Sequence, residues 1–241
     1  MFFGANPHAR RGRHVRSRVQ VFFKIDASAL AAKLPDGVCP RSWRGSVLGE
    51  LRFTRLSAGG TLLGPLTGKA DHYSCRLAVE IETDAGPRSG SWVHMRKTSS
   101  WFEAVYGGAL RRHGYERSRF LVTEDSERFS LLIADSTGSE IELHTESCHH
   151  SSSVLFPSAR AVLGFLGSAD HPDPLLGELD HDLPEHLTPE PVYLQRLDAR
   201  VFEDFPAGAI SVDSAWRWVA AQRLDLTETA FERREAAVPA T

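Results

Sequence analysis

Asp84-Ala85-Gly86-Pro87 is the stretch that decides the fold class, because it is a run of turn residues between two β-like segments, His72 to Thr83 and Gly90 to Lys97. The pair reads as an antiparallel hairpin. Downstream, Tyr115 to Thr123, Arg128 to Ala134 and Ser139 to Glu146 are three more β-like runs, separated by Glu124-Asp125-Ser126-Glu127 and Ser136-Thr137-Gly138 as in a meander. Upstream, Arg16 to Ile25 and Ser46 to Leu56 carry strand signals, and the glycine-rich segment from Ser57 to Gly68 reads as a loop.

Helical signals are fewer. Asp26 precedes a predicted helix from Ala27 to Leu34 that Pro35-Asp36-Gly37 ends. Ser100-Trp101-Phe102-Glu103 has the spacing of a capping box, which predicts a helix from Trp101 to about Leu110, and Ser158 to Leu166 reads as another. The Pro-, Asp- and His-rich stretch from Gly167 to Pro191 reads as a long loop. Pro191 to Phe202 is a predicted strand, and Val212 to Phe231 a closing strand and helix. Many strands with few helices give a β-rich α+β fold, and closing the sheet into a barrel would remove its edges.

The chain of 241 residues, 41% hydrophobic and 24% charged, is large enough for one sizeable core, and a single domain over residues 1–241 is expected. Residues 1–13 are expected to form a flexible basic segment and 232–241 a frayed tail. A net charge of −3 gives no global attraction to nucleic acid or an anionic membrane. Arg10, Arg11 and Arg13 lack the interleaved aromatic residues that stack bases. Three widely spaced cysteines, Cys39, Cys75 and Cys148, form neither a disulfide framework nor a zinc motif, which fits a reducing cytoplasm. No run of 18 apolar residues spans a membrane, and no signal peptide is apparent.

One family resemblance emerges from order and spacing. His14-Val15-Arg16-Ser17-Arg18-Val19-Gln20-Val21-Phe22-Phe23-Lys24-Ile25-Asp26-Ala27-Ser28-Ala29-Leu30, continuing through Leu34-Pro35, resembles the opening of acetoacetate decarboxylases. Gly90-Ser91-Trp92-Val93-His94-Met95 is similar to that family's run of glycine, polar, aromatic, aliphatic, His-Met, and Arg111-Arg112-His113-Gly114-Tyr115 falls where it has Lys-Lys, one residue, then Gly-Tyr. The stretch from His94 to Trp101 is closer still to a bacterial branch of the superfamily known only as a domain of unknown function. The resemblance covers residues 14 to 123. It implies a closed or cone-shaped β-barrel with an internal cavity and a few flanking helices.

The resemblance also implies what this chain lacks. In the family, the first lysine of the pair attacks the substrate ketone and the second lowers its pKa. Arg111 and Arg112 stand there, and freeing a neutral guanidine at pH 7 would cost roughly 7 kcal/mol, so imine chemistry at this position is excluded. The family's catalytic glutamate would fall near Tyr73-Ser74-Cys75-Arg76, where there is no carboxylate; Glu80 and Glu82 are the next acids. Arg16 matches an arginine that lies near the family's active site.

Strand alternation would put Trp92, His94 and Arg96 on one side of their strand, and His72, Ser74, Arg76, Glu80 and Glu82 on one side of its partner. If both faces line the cavity, Arg16, Arg76, Arg96, Arg111 and Arg112 with Trp92 would hold a carboxylate or enolate, while His94 moves the proton and Arg111 stabilises the oxyanion. The bland alternative is a solvated arginine surface. Lys97 is the candidate for a relocated nucleophile, weighed against an ordinary solvated lysine. Glu142, His144, Glu146, Cys148 and His150 alternate along one strand face with metal-ligand chemistry, but adjacent strand residues alone do not close a site. The expectation is therefore no cofactor and no metal. The partner is an anionic small molecule, with a homo-oligomer left open. Two functions remain: an enzyme promoting enolisation, dehydration, isomerisation or cyclisation of a keto acid or polyketide-like acid, and a non-catalytic binding protein on the same fold.

Overall fold

A computed structural model describes residues 15–56, 72–83, 86–101, 104–105, 115–135, 138–167 and 187–220. Among these residues twelve strands form one sheet: β1 (Val15–Ile25), β2 (Val38–Pro40), β3 (Ser42–Trp43), β4 (Ser46–Leu56), β5 (His72–Thr83), β6 (Gly86–Thr98), β7 (Glu116–Arg117), β8 (Arg119–Glu124), β9 (Arg128–Asp135), β10 (Gly138–Ser147), β11 (Leu187–Ala199) and β12 (Ile210–Ala220). Helices α1 (Ala27–Ala31) and α2 (Ala159–Gly167) and a 3-10 turn, Arg200–Asp204, complete the described elements.

The strand order is β7-β6-β5-β4-β1-β12-β11-β10-β9-β8, with β2 beside β5 and β3 beside β4. β7 and β8 lie at opposite ends of that order, yet only Ser118 separates them in the chain. Ser118 therefore joins the two ends, its amide donating to the Thr98 carbonyl at 3.0 Å, and the sheet bends into a nearly closed barrel. Every pairing is antiparallel except the two-residue contact of β7 with β6.

The inner face is an apolar core. Val19, Val21 and Phe23 of β1, Leu51 and Phe53 of β4, and Leu77 and Val79 of β5 meet Phe129, Leu131 and Ile133 of β9 and Ile141 and Leu143 of β10. Phe53 touches Phe129 with ring centroids 5.1 Å apart, which spans the barrel, since β4 and β9 are far apart in the strand order. A second core covers part of the outer face: Phe22, Leu48, Trp216 and Trp218 pack under Leu155, Phe156 and α2 through Val162, Phe165 and Leu166.

The expected elements differ from the observed ones in instructive places. Asp26 caps α1 as anticipated, accepting from the Ala29 amide at 2.9 Å, but α1 ends at Ala31. The segment expected to be a loop up to Pro191 already pairs from Leu187 onward. Pro189, within that expected loop, and Pro191, where the predicted strand begins, both sit in β11 opposite Trp218 and Trp216. Ser100 does begin a helical turn, with the Ala104 amide donating to its carbonyl at 3.1 Å. The remainder of that expected helix, the glycine-rich loop, the basic N-terminal segment, the helix after β12 and the C-terminal tail fall outside the described residues.

Candidate anion site

A cluster of charged residues gathers on the outer face, beside the second core. Cross-strand register puts Gln20 opposite Arg52, Arg52 opposite Arg76, and Arg76 opposite Arg96. Directly paired residues project from the same side of a sheet, so three guanidiniums form a rank across β4, β5 and β6, with strands spaced about 4.8 Å apart. Burying charge there requires a counter-charge, and Glu50 supplies it. Its carboxylate accepts from Gln20 Nε2, from Arg52 Nη2 at 2.7 Å to Oε1 and from Arg76 Nη2 at 2.9 Å. The Gln20 carbonyl accepts from Trp218 Nε1 at 3.2 Å, which fixes the amide so that its NH2 faces Glu50. Arg18, only 2% exposed, lies over the Trp218 ring at 5.7 Å, and Arg96 over the Tyr115 ring at 5.6 Å.

Arg76 and Arg96 are paired across β5 and β6, on the face opposite the packed interior and not in the internal cavity where the sequence reading expected them. His94 and Trp92 do not join them. Between Leu77 and Ala78 the β5–β6 register shifts: Leu77 pairs with Met95 and Ala78 with Val93, leaving His94 as the extra residue of a bulge. Trp92 and Met95 consequently both pack against the inner core, and Arg96 points to the other face. Simple alternation, which would place Arg96 on the side of His94, fails at this bulge. His94 stacks on Trp92 at 4.9 Å, meets Phe205 edge-on, and is hydrogen-bonded through Nε2 to Asp204 Oδ2, which accepts at 3.0 Å. Arg16 is exposed. Arg111 and Arg112 lie outside the described residues.

Two residues escaped the sequence reading. Glu50 answers the search for a carboxylate near Arg76, but from the neighbouring strand; the alternation in Leu48-Gly49-Glu50-Leu51-Arg52 was the available signal. Arg52 was hidden in the same run.

Lys97 is neither solvated nor poised as a nucleophile. It is 4% exposed and its ammonium lies 2.7 Å from both Glu116 Oε2 and Glu140 Oε2. Burial lowers its pKa, but the bonds to Glu116 and Glu140 outweigh that and raise it above the ordinary lysine value, which keeps the amine protonated. Glu116, Asp135 and Glu140 bring ligand-type atoms within 4.8 Å of one another, with the Lys97 ammonium already bound to two of them as the cation. On β10, His144 pairs with Glu142 and Ser130, while Glu146 is engaged by Gln195 and Arg128.

The class defined by these features is a nearly closed, mainly antiparallel β-barrel with an arginine–glutamate cluster on its outer face. Its fold is that of acetoacetate decarboxylase. An acetoacetate decarboxylase from Legionella pneumophila superposes with a TM-score of 0.51 at 10% identity, over 86% of this chain and 84% of that one. A further acetoacetate decarboxylase gives 0.51 at 12% identity over 90% of each chain. The enduracididine biosynthesis enzyme MppR, complexed with pyruvate, gives 0.50 at 12% identity over 84% of each. No family model matches the sequence. No curated protein matches it either. Among the described residues no helix is long and apolar enough to cross a membrane.

Proposed function

We propose that this protein binds an anionic, carbonyl-containing small molecule, of the keto-acid or polyketide-like acid class, at Arg76 and Arg96, and promotes enolisation or a related reaction there without forming an imine. The observation that carries this reading is the rank of Arg52, Arg76 and Arg96 in register around Glu50. Guanidiniums grip a carboxylate by paired, charge-assisted hydrogen bonds, and the same donors stabilise an enolate oxygen as charge develops. Glu50 orients Arg52 and Arg76 by its ion pairs with both. Two facts support a non-imine route: Lys97 is tied to two carboxylates, and Arg111 and Arg112 occupy the positions where the resembling family has its lysine pair. That MppR was captured with pyruvate makes keto acids the natural first panel. A second reading, binding without turnover, is favoured by His94: the residue expected to move protons lies on the other face.

The test is calorimetry with a panel of 2-keto acids and dicarboxylates, followed by proton NMR in deuterium oxide. Losing one buried, charge-assisted contact in Arg96→Ala should weaken binding by about 1.5–3 kcal/mol, whereas His94→Ala should leave it unchanged. Exchange of the hydrogens next to the ligand carbonyl marks an enzyme, and binding without exchange marks a binding protein. If no acid in the panel binds, or if Arg96→Ala binds like the native protein, the anion site is refuted.

A further inference from the structure

On the far side of the barrel, a chain of side chains runs across the exposed face of β9, β10 and β11. Arg196 Nη2 lies 3.0 Å from Glu142 Oε2, Glu142 Oε1 lies 2.9 Å from His144 Nε2, and His144 Nδ1 lies 3.0 Å from Ser130 Oγ. Register brings them together, since His144 is paired with Ser130 on one side and with Arg196 on the other. Glu142 precedes His144 by two residues, so both project from the same face.

Donor and acceptor capacity places the protons. A carboxylate only accepts, so in the neutral ring His144 Nε2 carries the hydrogen and donates it to Glu142. Nδ1 is then the lone pair, and it faces the Ser130 hydroxyl. Arg196 holds the second carboxylate oxygen and fixes the orientation of Glu142. The order acid, imidazole, hydroxyl is that of an activated serine, recognised by geometry and roles and not by sequence position.

We infer that Ser130, His144 and Glu142 form a nucleophilic relay that transfers acyl groups from activated esters, separate from the arginine site and independent of its ligand. Two features set the substrate class. β9 is paired on both sides, so its amides serve the ladders and no backbone oxyanion hole is available to assist a poor leaving group. Amides are therefore excluded, and aryl esters or thioesters, which depart readily, are favoured. Beside the relay, Leu121, 47% exposed, is paired with Leu132 and offers apolar surface to a short acyl chain.

In the first step the Ser130 oxygen bonds to the acyl carbon, its proton passes to His144 Nδ1, and the bond to the leaving group breaks as that group takes the proton. Water then attacks the acyl carbon, gives its proton to Nδ1, and the proton returns to Ser130 as the carboxylic acid departs. The net change is ester plus water to acid plus alcohol or thiol.

The experiment treats the full-length protein with a fluorophosphonate, maps the label by peptide mass spectrometry, and measures p-nitrophenyl butyrate hydrolysis. The expected result is a label on Ser130 that is lost in His144→Gln, and hydrolysis reduced by about 100-fold in both His144→Gln and Ser130→Ala. Circular dichroism confirms that each variant is folded; the face is partly solvated, so neither substitution opens the core. No label on Ser130, a label that persists in His144→Gln, or undiminished hydrolysis in Ser130→Ala would overturn the assignment and leave the chain a polar contact between strands.

Discussion

At the residue scale, burial decides chemistry. Glu50 and Lys97 are both buried charges, but the first is surrounded by donors on the outer face and the second by acceptors on the inner one. Cys75 shows the same rule for a thiol. It is 1% exposed, packed in the barrel interior, and burial pushes its pKa up to about 12, with the Lys97 charge opposing that shift. A thiol that is neither ionised nor reachable does not react. Iodoacetamide at pH 8 should leave Cys75 unmodified in the native protein and modify it fully in denaturant, read by peptide mass spectrometry; rapid native alkylation of Cys75 would contradict the packing. The position of Arg76 in a strand was legible in the sequence because it lies within the hairpin that decides the fold. Glu50 was not, because its proximity to Arg76 arises from pairing of β4 with β5, 26 residues apart in the chain.

At the element scale, periodicity carried the reading and a single irregularity limited it. The β5–β6 hairpin, the meander of β8, β9 and β10, and α2 all follow from alternation or capping in the local sequence. The bulge at His94 does not, since an extra residue in a strand leaves no signature in apolar alternation. One inserted residue reverses the face of everything beyond it, which is why Arg96 joins Arg76 while His94 stays with Trp92. Tyr115 to Thr123 reads as one strand for a similar reason: the break at Ser118 is set by two different partners, β6 and β9, and not by turn residues. Gly49 gives a testable case of element packing. It pairs with Phe23, and a side chain at position 49 would run into the Phe23 ring and approach the end of Ile25. Gly49→Val should therefore destabilise the protein by about 1–3 kcal/mol through overpacking, despite the good strand propensity of valine. A denaturation midpoint equal to that of the native protein would show that the core has room there.

At the scale of the whole molecule, the barrel depends on joining strands that are distant in sequence. β1 pairs with β4 on one side and with β12 on the other, so the core strands cannot form without the end of the described chain. Across the barrel interior, Lys97 of β6 links Glu116 of β7 with Glu140 of β10. Removing one member of a buried ion pair strands the other, at a cost of roughly 3 kcal/mol, whereas replacing both by apolar groups restores most of the loss. Lys97→Met should thus be strongly destabilised, and Lys97→Met combined with Glu140→Leu should recover toward the native midpoint in urea. The pH dependence has a definite sign. The folded-state pKa of Lys97 is raised, so its contribution is complete below the ordinary lysine value of 10.5 and is lost as pH rises through the higher folded value. Native stability should therefore fall in strongly alkaline solution by more than that of the double variant, in which the linked proton is absent. If the two proteins lose stability equally above pH 10.5, Lys97 does not fasten the barrel, and closure must rest on the Ser118 junction and the apolar contacts between Phe53, Phe120 and Phe129.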